Sequence, residues 1–440
     1  MVYYTIVPWT LGLSLETNPV VDITPLTWII VVFSMMNTIM WFAIQIIYLL
    51  YAKKKLEKIQ TSIIKQFKNH NPSEPLVSII IPARNEETVI KRTVKNCLAQ
   101  TYKNIEIIVV CHNCSDGTYA AAHLDDKRVK VFDYKTEEAG KGIANNFGIR
   151  QAGGKYLLVL DSDGILANDF IVNALPLFGK NIAAVQGKIL ASNSGYNLVT
   201  KLTGVEGYLC SVPFMTVRSM LDKRTPLGGT GCMIKKDILL EVGGFRNALI
   251  DDFELSFRFY RHGYRILFAP LSVIYNENPP EIAPLVRQRS RWIKGHFDLL
   301  RERVPEKTDL LGTIYWLTPI FMLSGLLAIC LASFGVVHYM LLGYFPYIFS
   351  TAPIMLWLLL LGIHSVIQTI VLLSDFGIKG GMKYVIQSAL LVIFTQYWQV
   401  TLIKSFFVKS WADTKTGHGF MSANDIRQVP LEQIPLNRYK

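Results

Sequence analysis

From Leu26 to Ala52 the chain carries no charged residue, and that run is long enough to cross a bilayer as a helix. Whatever else this sequence folds into must therefore be arranged around a membrane. Lys53, Lys54 and Lys55 follow at once, with Lys58 close behind. Cations beside an apolar run mark its cytoplasmic end, so the expected arrangement puts residues 1–25 outside and the chain after Lys53 inside. Residues 1–25 hold no Lys or Arg, unlike the basic start of a signal peptide. Over 53–68, Leu56, Ile59, Ile63, Ile64 and Phe67 recur among lysines. That spacing reads as a helix lying on the membrane surface or as a solvated linker helix, and 53–75 is taken as the interface segment.

From residue 76 to 303 the character changes. Val77–Ile81, Ile105–Val110, Val129–Phe132 and Tyr156–Leu160 are strand-length runs rich in Val and Ile, separated by helical stretches. Such alternation predicts βαβ units and a mostly parallel sheet, hence an α/β domain of Rossmann-like type. Beyond it, apolar runs return at about 310–337, 346–373 and 384–407, so 304–407 is expected to be a membrane region of two to three spans. Lys379 and Lys383 lie between the last two runs. Lys409, Lys415, Arg427, Arg438 and Lys440 make the tail 408–440 basic. Three spans would leave that tail outside, whereas its charge places it inside. The last run contains Gln387, Ser388, Thr395, Gln396, Gln399 and Thr401, which is too polar for lipid. It is expected to be re-entrant or channel-lining, with the tail cytoplasmic.

Composition supports a mixed soluble and membrane chain, with 51% hydrophobic and 18% charged residues. The net charge of +12 gathers beside apolar runs and not in one aromatic-interleaved patch. It reads as attraction to membrane lipids and anionic substrates, with no nucleic acid as partner. Six cysteines include one C-x-x-C, Cys111 and Cys114, with no second pair at zinc spacing. Reduced cysteines of a cytosolic domain fit better than a zinc or redox site.

Parallel α/β sheets bind ligands at the carboxyl ends of their strands, and the polar clusters fall there. Pro82-Ala83-Arg84-Asn85-Glu86 follows the first strand, and Cys111-His112-Asn113-Cys114-Ser115-Asp116-Gly117-Thr118 ends the second. Asp161-Ser162-Asp163 follows the fourth. Two carboxylates so spaced can hold Mg²⁺ or Mn²⁺ while leaving positions for substrate phosphates, although D-x-D also occurs in ordinary turns. Lys141, between two glycines and ahead of a helix with Asn145 and Asn146, suits phosphate or base contact, or is a solvated loop lysine. Asp251 and Asp252 open a helix, where they complement its dipole or supply a general base. Gln288-Arg289-Ser290-Arg291-Trp292 can clamp a diphosphate and stack on a sugar, or anchor the chain to lipid.

Taken in order, these residues resemble family-2 glycosyltransferases, specifically the membrane-integrated branch with hyaluronan, chitin, cellulose and poly-N-acetylglucosamine synthases. The resemblance covers about 76–300 and rests on P-A-R-N-E, S-D-G-T, D-x-D, G-G-T-G, the acidic pair and Q-x-x-R-W. It implies a GT-A fold beside transmembrane helices, in a multi-pass protein of the cell membrane with a cytoplasmic catalytic domain. It implies a UDP-sugar donor, Mg²⁺ or Mn²⁺, and transfer with inversion to a growing polysaccharide, with coupled translocation through the membrane region. One-sugar transfer to a membrane lipid is the alternative. By the same resemblance Pro82, Ala83, Arg84, Glu86, Asp116 and Lys141 line the nucleotide pocket. Asp161 and Asp163 hold the metal, Asp163 most directly. Gly229, Thr230 and Gly231 border the acceptor end, and Gln288, Arg291 and Trp292 close over diphosphate and acceptor. Asp252 stands at the catalytic base of the family's T-E-D, with Asp251 at its Glu. Trp411 loosely resembles the tryptophan trailing the last membrane run in poly-N-acetylglucosamine synthases. His112, where an aspartate is usual, and Ile250, in place of the threonine, depart from the pattern. A transporter or scaffold with an inert domain is the rival from another class, and the intact carboxylates speak against it.

Overall fold

The computed structural model describes residues 24–69, 74–221, 224–301, 318–343 and 351–409. Segment 1–23, Trp411 and the tail beyond Lys409 lie outside them. Helix α1 (Thr24–Ile47) passes through one wide π turn, Tyr48–Ala52, directly into α2 (Lys53–Asn69). Then β1 (Val77–Ala83), α3 (Ile90–Leu98), β2 (Ile105–His112), α4 (Thr118–Ala122), β3 (Val129–Tyr134), α5 (Lys141–Gln151) and β4 (Tyr156–Val159) alternate as expected. The second half is less regular: β5 (Ile165–Leu166), α6 (Phe170–Ala174), β6 (Ile182–Ala191), α7 (Leu198–Leu221), β7 (Cys232–Lys235), α8 (Lys236–Glu241), α9 (Asp251–Arg261), β8 (Arg265–Asn276) and α10 (Ile282–Arg301). Among the described residues four apolar helices follow: α11 (Thr318–Leu342), α12 (Thr351–Phe376), α13 (Gly381–Phe394) and α14 (Tyr397–Ser405).

The eight strands form one sheet in the order β3-β2-β1-β4-β7-β6-β8-β5. Pairings β1–β2, β1–β4, β2–β3 and β6–β8 are parallel, while β4–β7, β6–β7 and β5–β8 are antiparallel. β2 is buried at every position, as a strand covered on both faces must be, which is why its centre, Ile107–Val110, is wholly Ile and Val. One core packs Ile79, Ile81, Ile107 and Val109 under α3 and α6. The opposite core packs Ile80, Ile108 and Val110 under α5 and α9. β2 and β4 flank β1, so the chain reverses direction across the sheet beside β1. Such a switch point opens a crevice at the strands' carboxyl ends.

Against this domain lies a third cluster that joins it to the apolar helices. Met40, Ile44, Tyr48, Ala52 and Leu56 recur every fourth residue and pack with Leu202, Leu209, Val212, Phe214 and Val217 of α7 and with Val371, Leu372 and Leu391. Four-residue spacing drifts by about 40° per turn on an ideal α-helix, and the π turn recovers part of that drift. A polar pin sits in the same seam. Asp375 Oδ2 accepts hydrogen bonds from Tyr48 Oη at 2.8 Å and Tyr208 Oη at 2.7 Å, and Asp375 also pairs with Lys53. α2 is fixed by Gln60, whose Nε2 donates to the Phe268 carbonyl at 2.6 Å, and it leaves Ile59 and Ile63 exposed.

Three stretches among the described residues are long and apolar enough to cross a membrane, Met35–Asn69, Leu359–Phe376 and Ile378–Ser405. The run expected to be re-entrant is two helices broken at Thr395–Gln396. Its Gln387, Ser388, Thr401 and Ser405 are buried, and α14 packs along α10 of the α/β segment.

Candidate active site

A cavity of about 720 Å³ opens at the carboxyl ends of β1 and β4. Of the residues singled out in the sequence, Pro82, Ala83, Arg84, Glu86, Lys141, Asp161, Asp163, Gly229, Thr230, Asp251, Asp252, Gln288, Arg291 and Trp292 line it. Asp116 stands outside that lining, as a staple between two loops. Its Oδ1 accepts from the Thr118 backbone at 3.1 Å, and its Oδ2 accepts from Glu87 N at 3.3 Å. Gly231 lies behind the wall, where an added methyl would come within 2.7 Å of Ile274 Cγ2.

Each side chain is held by its own local logic. Asp161 leaves β4 with its N–H donating to Thr230 Oγ1 at 3.0 Å, and its Oδ1 pairs with Lys141 Nζ at 2.5 Å. Lys141, the first residue of α5, also donates to the Gly229 carbonyl at 2.7 Å. Gly229 has φ +77°, a backbone that favours glycine, and a methyl there would sit 3.0 Å from Asp252 Oδ2. The G-G-T-G turn thus brings bare backbone between the lysine and the acidic pair. Asp163 turns the other way, its Oδ2 accepting from Glu277 N at 3.2 Å.

Asp251 and Asp252 form the first turn of α9, and Asp252 Oδ1 accepts from Phe253 N at 2.8 Å. α10 passes directly over this turn because Gly295 has no side chain. A methyl there would approach Ile250 Cγ1 to 2.7 Å. The crossing sets Arg291, whose Nη1 donates to the Leu249 carbonyl at 3.1 Å, beside the carboxylates. Burial pushes the Asp252 carboxyl up to about 7, Asp251 adds to the rise, and Lys141 and Arg291 partly oppose it. Asp251 is also raised by burial. Burial disfavours the charge on Lys141, but Asp161, Asp251 and Asp252 outweigh it, and the ammonium is held well above its ordinary range.

Several lining residues were not singled out in the sequence. Asn276, Glu277 and Asn278 end β8, and the rule that reads polar residues at strand ends would have found them. Glu206, Arg289, Trp398, Asn37 and Trp41 reach the cavity from α7, α10, α14 and α1, and only the tertiary fold brings them there.

Residues 74–295 match the family model described as "Glycosyltransferase like family 2", just over half of the chain. The chain belongs to that family. Among its curated relatives, Probable glycosyltransferase YdaM of Bacillus subtilis (strain 168) is 30% identical over 244 residues, covering 53% of this chain and 58% of that protein. Poly-beta-1,6-N-acetyl-D-glucosamine synthase of Staphylococcus aureus (strain COL) is 27% identical over 231 residues, covering 51% and 56%. The chain thus spans little more than half the length of these family members. Among solved structures, the mannosyltransferase PcManGT from Pyrobaculum calidifontis, in complex with GDP-Man and Mn²⁺, superposes with a TM-score of 0.53 at 19% identity, over 82% of this chain and 98% of that one. The shared fold is GT-A.

Proposed function

We infer that this protein is a membrane-embedded, inverting glycosyltransferase that moves a sugar from a nucleotide sugar, a UDP-sugar by its resemblance to polysaccharide synthases, onto a growing glycan. The observation that carries this reading is the convergence on one cavity of Asp161 and Asp163, the buried pair Asp251 and Asp252, and Arg291 with Trp292. These come from β4, α9 and α10, so no single local motif accounts for it.

In the reaction an acceptor hydroxyl attacks the anomeric carbon and the nucleoside diphosphate leaves from the opposite face. Asp252 takes the hydroxyl proton, because of the two raised carboxyls it is the less buried, with its Oδ2 toward Gly229 and the cavity. Arg291 and Lys141 hold the diphosphate through charge-assisted hydrogen bonds, and Trp292 offers its ring to the acceptor. The Asp161–Asp163 edge fits Mg²⁺ or Mn²⁺ in donor chemistry: both residues offer oxygens, and the neighbouring Asn276 Oδ1 is buried without a hydrogen-bond partner. Bound there, such an ion neutralises charge on the diphosphate. Residues 53–75 serve as the interface segment, 76–303 as the cytoplasmic catalytic domain and 304–407 as the membrane region.

The base role has a pH signature. A carboxyl at about 7 is ionised above that value, so kcat/KM should fall about tenfold per unit as pH drops below it. Stability moves the opposite way. The unfolded chain releases this proton near 3.9, so between the two values the folded state binds more protons and loses stability as pH rises. A pH–rate profile flat down to pH 5 would remove Asp252 from the role.

A second reading, transfer of one sugar to a membrane lipid, is favoured by the reach of the cavity to Asn37 and Trp41 on α1. Sizing the product separates the two. Detergent-purified protein given radiolabelled UDP-sugars and Mn²⁺ should yield a large, glycanase-sensitive product. A small, solvent-extractable product would establish the lipid reading, and no transfer from any nucleotide sugar would overturn both.

A further inference from the structure

Cys111 and Cys114 form the chain's single C-x-x-C, and neither lines the cavity. Both are free thiols, Cys111 buried and Cys114 partly exposed. Cys111 stands one residue from the end of β2, paired in register with Ala83 of β1. Asn113 then takes a left-handed backbone, φ +52°, and turns the chain back over the strand ends. There the Cys114 thiol donates to the Ala83 carbonyl at 3.5 Å, and the Cys111 S–H donates to the Cys114 sulfur. Two thiols already in hydrogen-bond contact need only a small movement to close a disulfide.

Their surroundings give the two sulfurs different parts. The Cys111 S–H, helped by the Asn85 N–H, holds Cys114 below the ordinary thiol range despite its partial burial. The same hydrogen bond, with burial, pushes Cys111 up. The thiolate is the form that oxidants attack, so the exposed sulfur is also the reactive one. The loop that carries it clasps one rim of the cavity. Asn85 Oδ1 accepts from Ser115 N at 2.8 Å, Thr118 Oγ1 accepts from Glu86 N at 2.7 Å, and Glu87 Oε2 accepts from Gly117 N at 2.8 Å. Arg84 and Glu86 on the clasped segment line the cavity, and so does His112 between the two cysteines.

We propose that Cys111 and Cys114 are a reversible oxidation site for peroxide, whose disulfide pulls loop 113–118 off segment 84–87 and weakens nucleotide binding. The Cys114 thiolate attacks one peroxide oxygen, the O–O bond breaks, and hydroxide departs to leave Cys114 a sulfenic acid. The Cys111 sulfur then attacks that sulfur. An S–S bond forms, the S–O bond breaks, and the oxygen leaves as water with the Cys111 proton. Peroxide gains two electrons, the thiols lose two, and an added dithiol reverses the change by exchange. Drawing Cys114 onto Cys111 takes its sulfur from the Ala83 carbonyl and carries Ser115, Gly117 and Thr118 along. Disulfides of cytosolic proteins are typically transient and regulatory, which suits a pair that rests reduced. The effect on nucleotide rests on the transferase reading above, whereas the disulfide does not.

Full-length protein in nanodiscs is treated with hydrogen peroxide, with and without later dithiothreitol. Peptide mass reads the Cys111–Cys114 disulfide, amide hydrogen exchange reads segments 84–87 and 113–118, and titration with UDP or GDP plus Mn²⁺ reads the pocket. Peroxide should form the disulfide and speed exchange in both segments about tenfold. It should weaken the nucleotide about tenfold, as the loss of one hydrogen bond to a charged group does. Dithiothreitol should restore all three. Cys114→Ser keeps a donor for the Ala83 carbonyl, so its nucleotide affinity should match reduced wild type and stay there under peroxide. Cys111→Ala, a small apolar replacement, should likewise form no disulfide. Failure of the disulfide to form would overturn the proposal, as would a disulfide that leaves either exchange or nucleotide affinity unchanged. So would Cys114→Ser losing nucleotide to peroxide as wild type does. A reduced wild type that binds neither nucleotide would instead overturn the transferase reading, while disulfide and exchange still decide the thiol pair.

Discussion

Asp252→Asn should lower sugar transfer by about 10³-fold while leaving nucleotide affinity within about twofold. General-base catalysis contributes about 10²–10⁴ in rate, and this carboxylate has no substitute at its position. Asp251 is adjacent but buried, and it faces Lys141 and Arg291. Asparagine keeps the shape and can still accept from Phe253 N, the 2.8 Å bond that tethers the side chain to its own helix turn. It also removes one of two like charges in a buried pair, so the variant should be at least as stable as wild type. A stable variant with intact nucleotide binding and lost transfer is the combination that identifies a base. Transfer within tenfold of wild type would assign the proton to another group.

The second large effect concerns the other carboxylate edge. Removal of divalent ions with EDTA should abolish transfer, and Mn²⁺ or Mg²⁺ should restore it. Asp163→Asn should raise the concentration of ion needed for half-maximal rate by about 10²-fold. The asparagine still offers an oxygen to Glu277 N, which Asp163 Oδ2 accepts at 3.2 Å, so the β4–β8 junction stays closed. What is lost is a formal charge facing the diphosphate. Asp161 retains its charge but shares it with Lys141 at 2.5 Å and does not make up the loss. Manganese titration of the transfer rate measures this, and an unchanged half-point would place the ion elsewhere.

The first half of the domain was legible because its information is local. Strands β1 and β2 are buried on both faces and run through consecutive Ile and Val, β4 is a short buried apolar run, and polar residues then crowd their ends. Asp161 and Asp163 stand out for that reason. The second half mixes antiparallel and parallel pairings, with β6 meeting β8 from far along the chain, and no single segment records that choice. α7 was missed as a wall of the site. Its apolar and small residues, interrupted by Pro213, have no clear single face, because one side meets the cavity and another meets α1 and α13. Arg289 stood within a motif that drew attention to its neighbours. What singles it out is the absence of partners for Nε and Nη1, a property only the fold can reveal.

The seam along α7 bears on where this molecule can be cut. Divided by sequence at residues 76 and 303, the catalytic segment looks like a cartridge detachable from its anchors. The packing has no such joint. Leu209, Val212 and Val217 lie against Ile44, Tyr48 and Val371, and Asp375 at the end of a distant helix ties Tyr208 to Tyr48. Trp398, beyond residue 303, lines the same cavity as Asp161. An excised 76–303 would bare an oily flank and leave one wall of its reaction chamber behind. The unit of function is the whole interlocked body, and chain order is a poor guide to its parts.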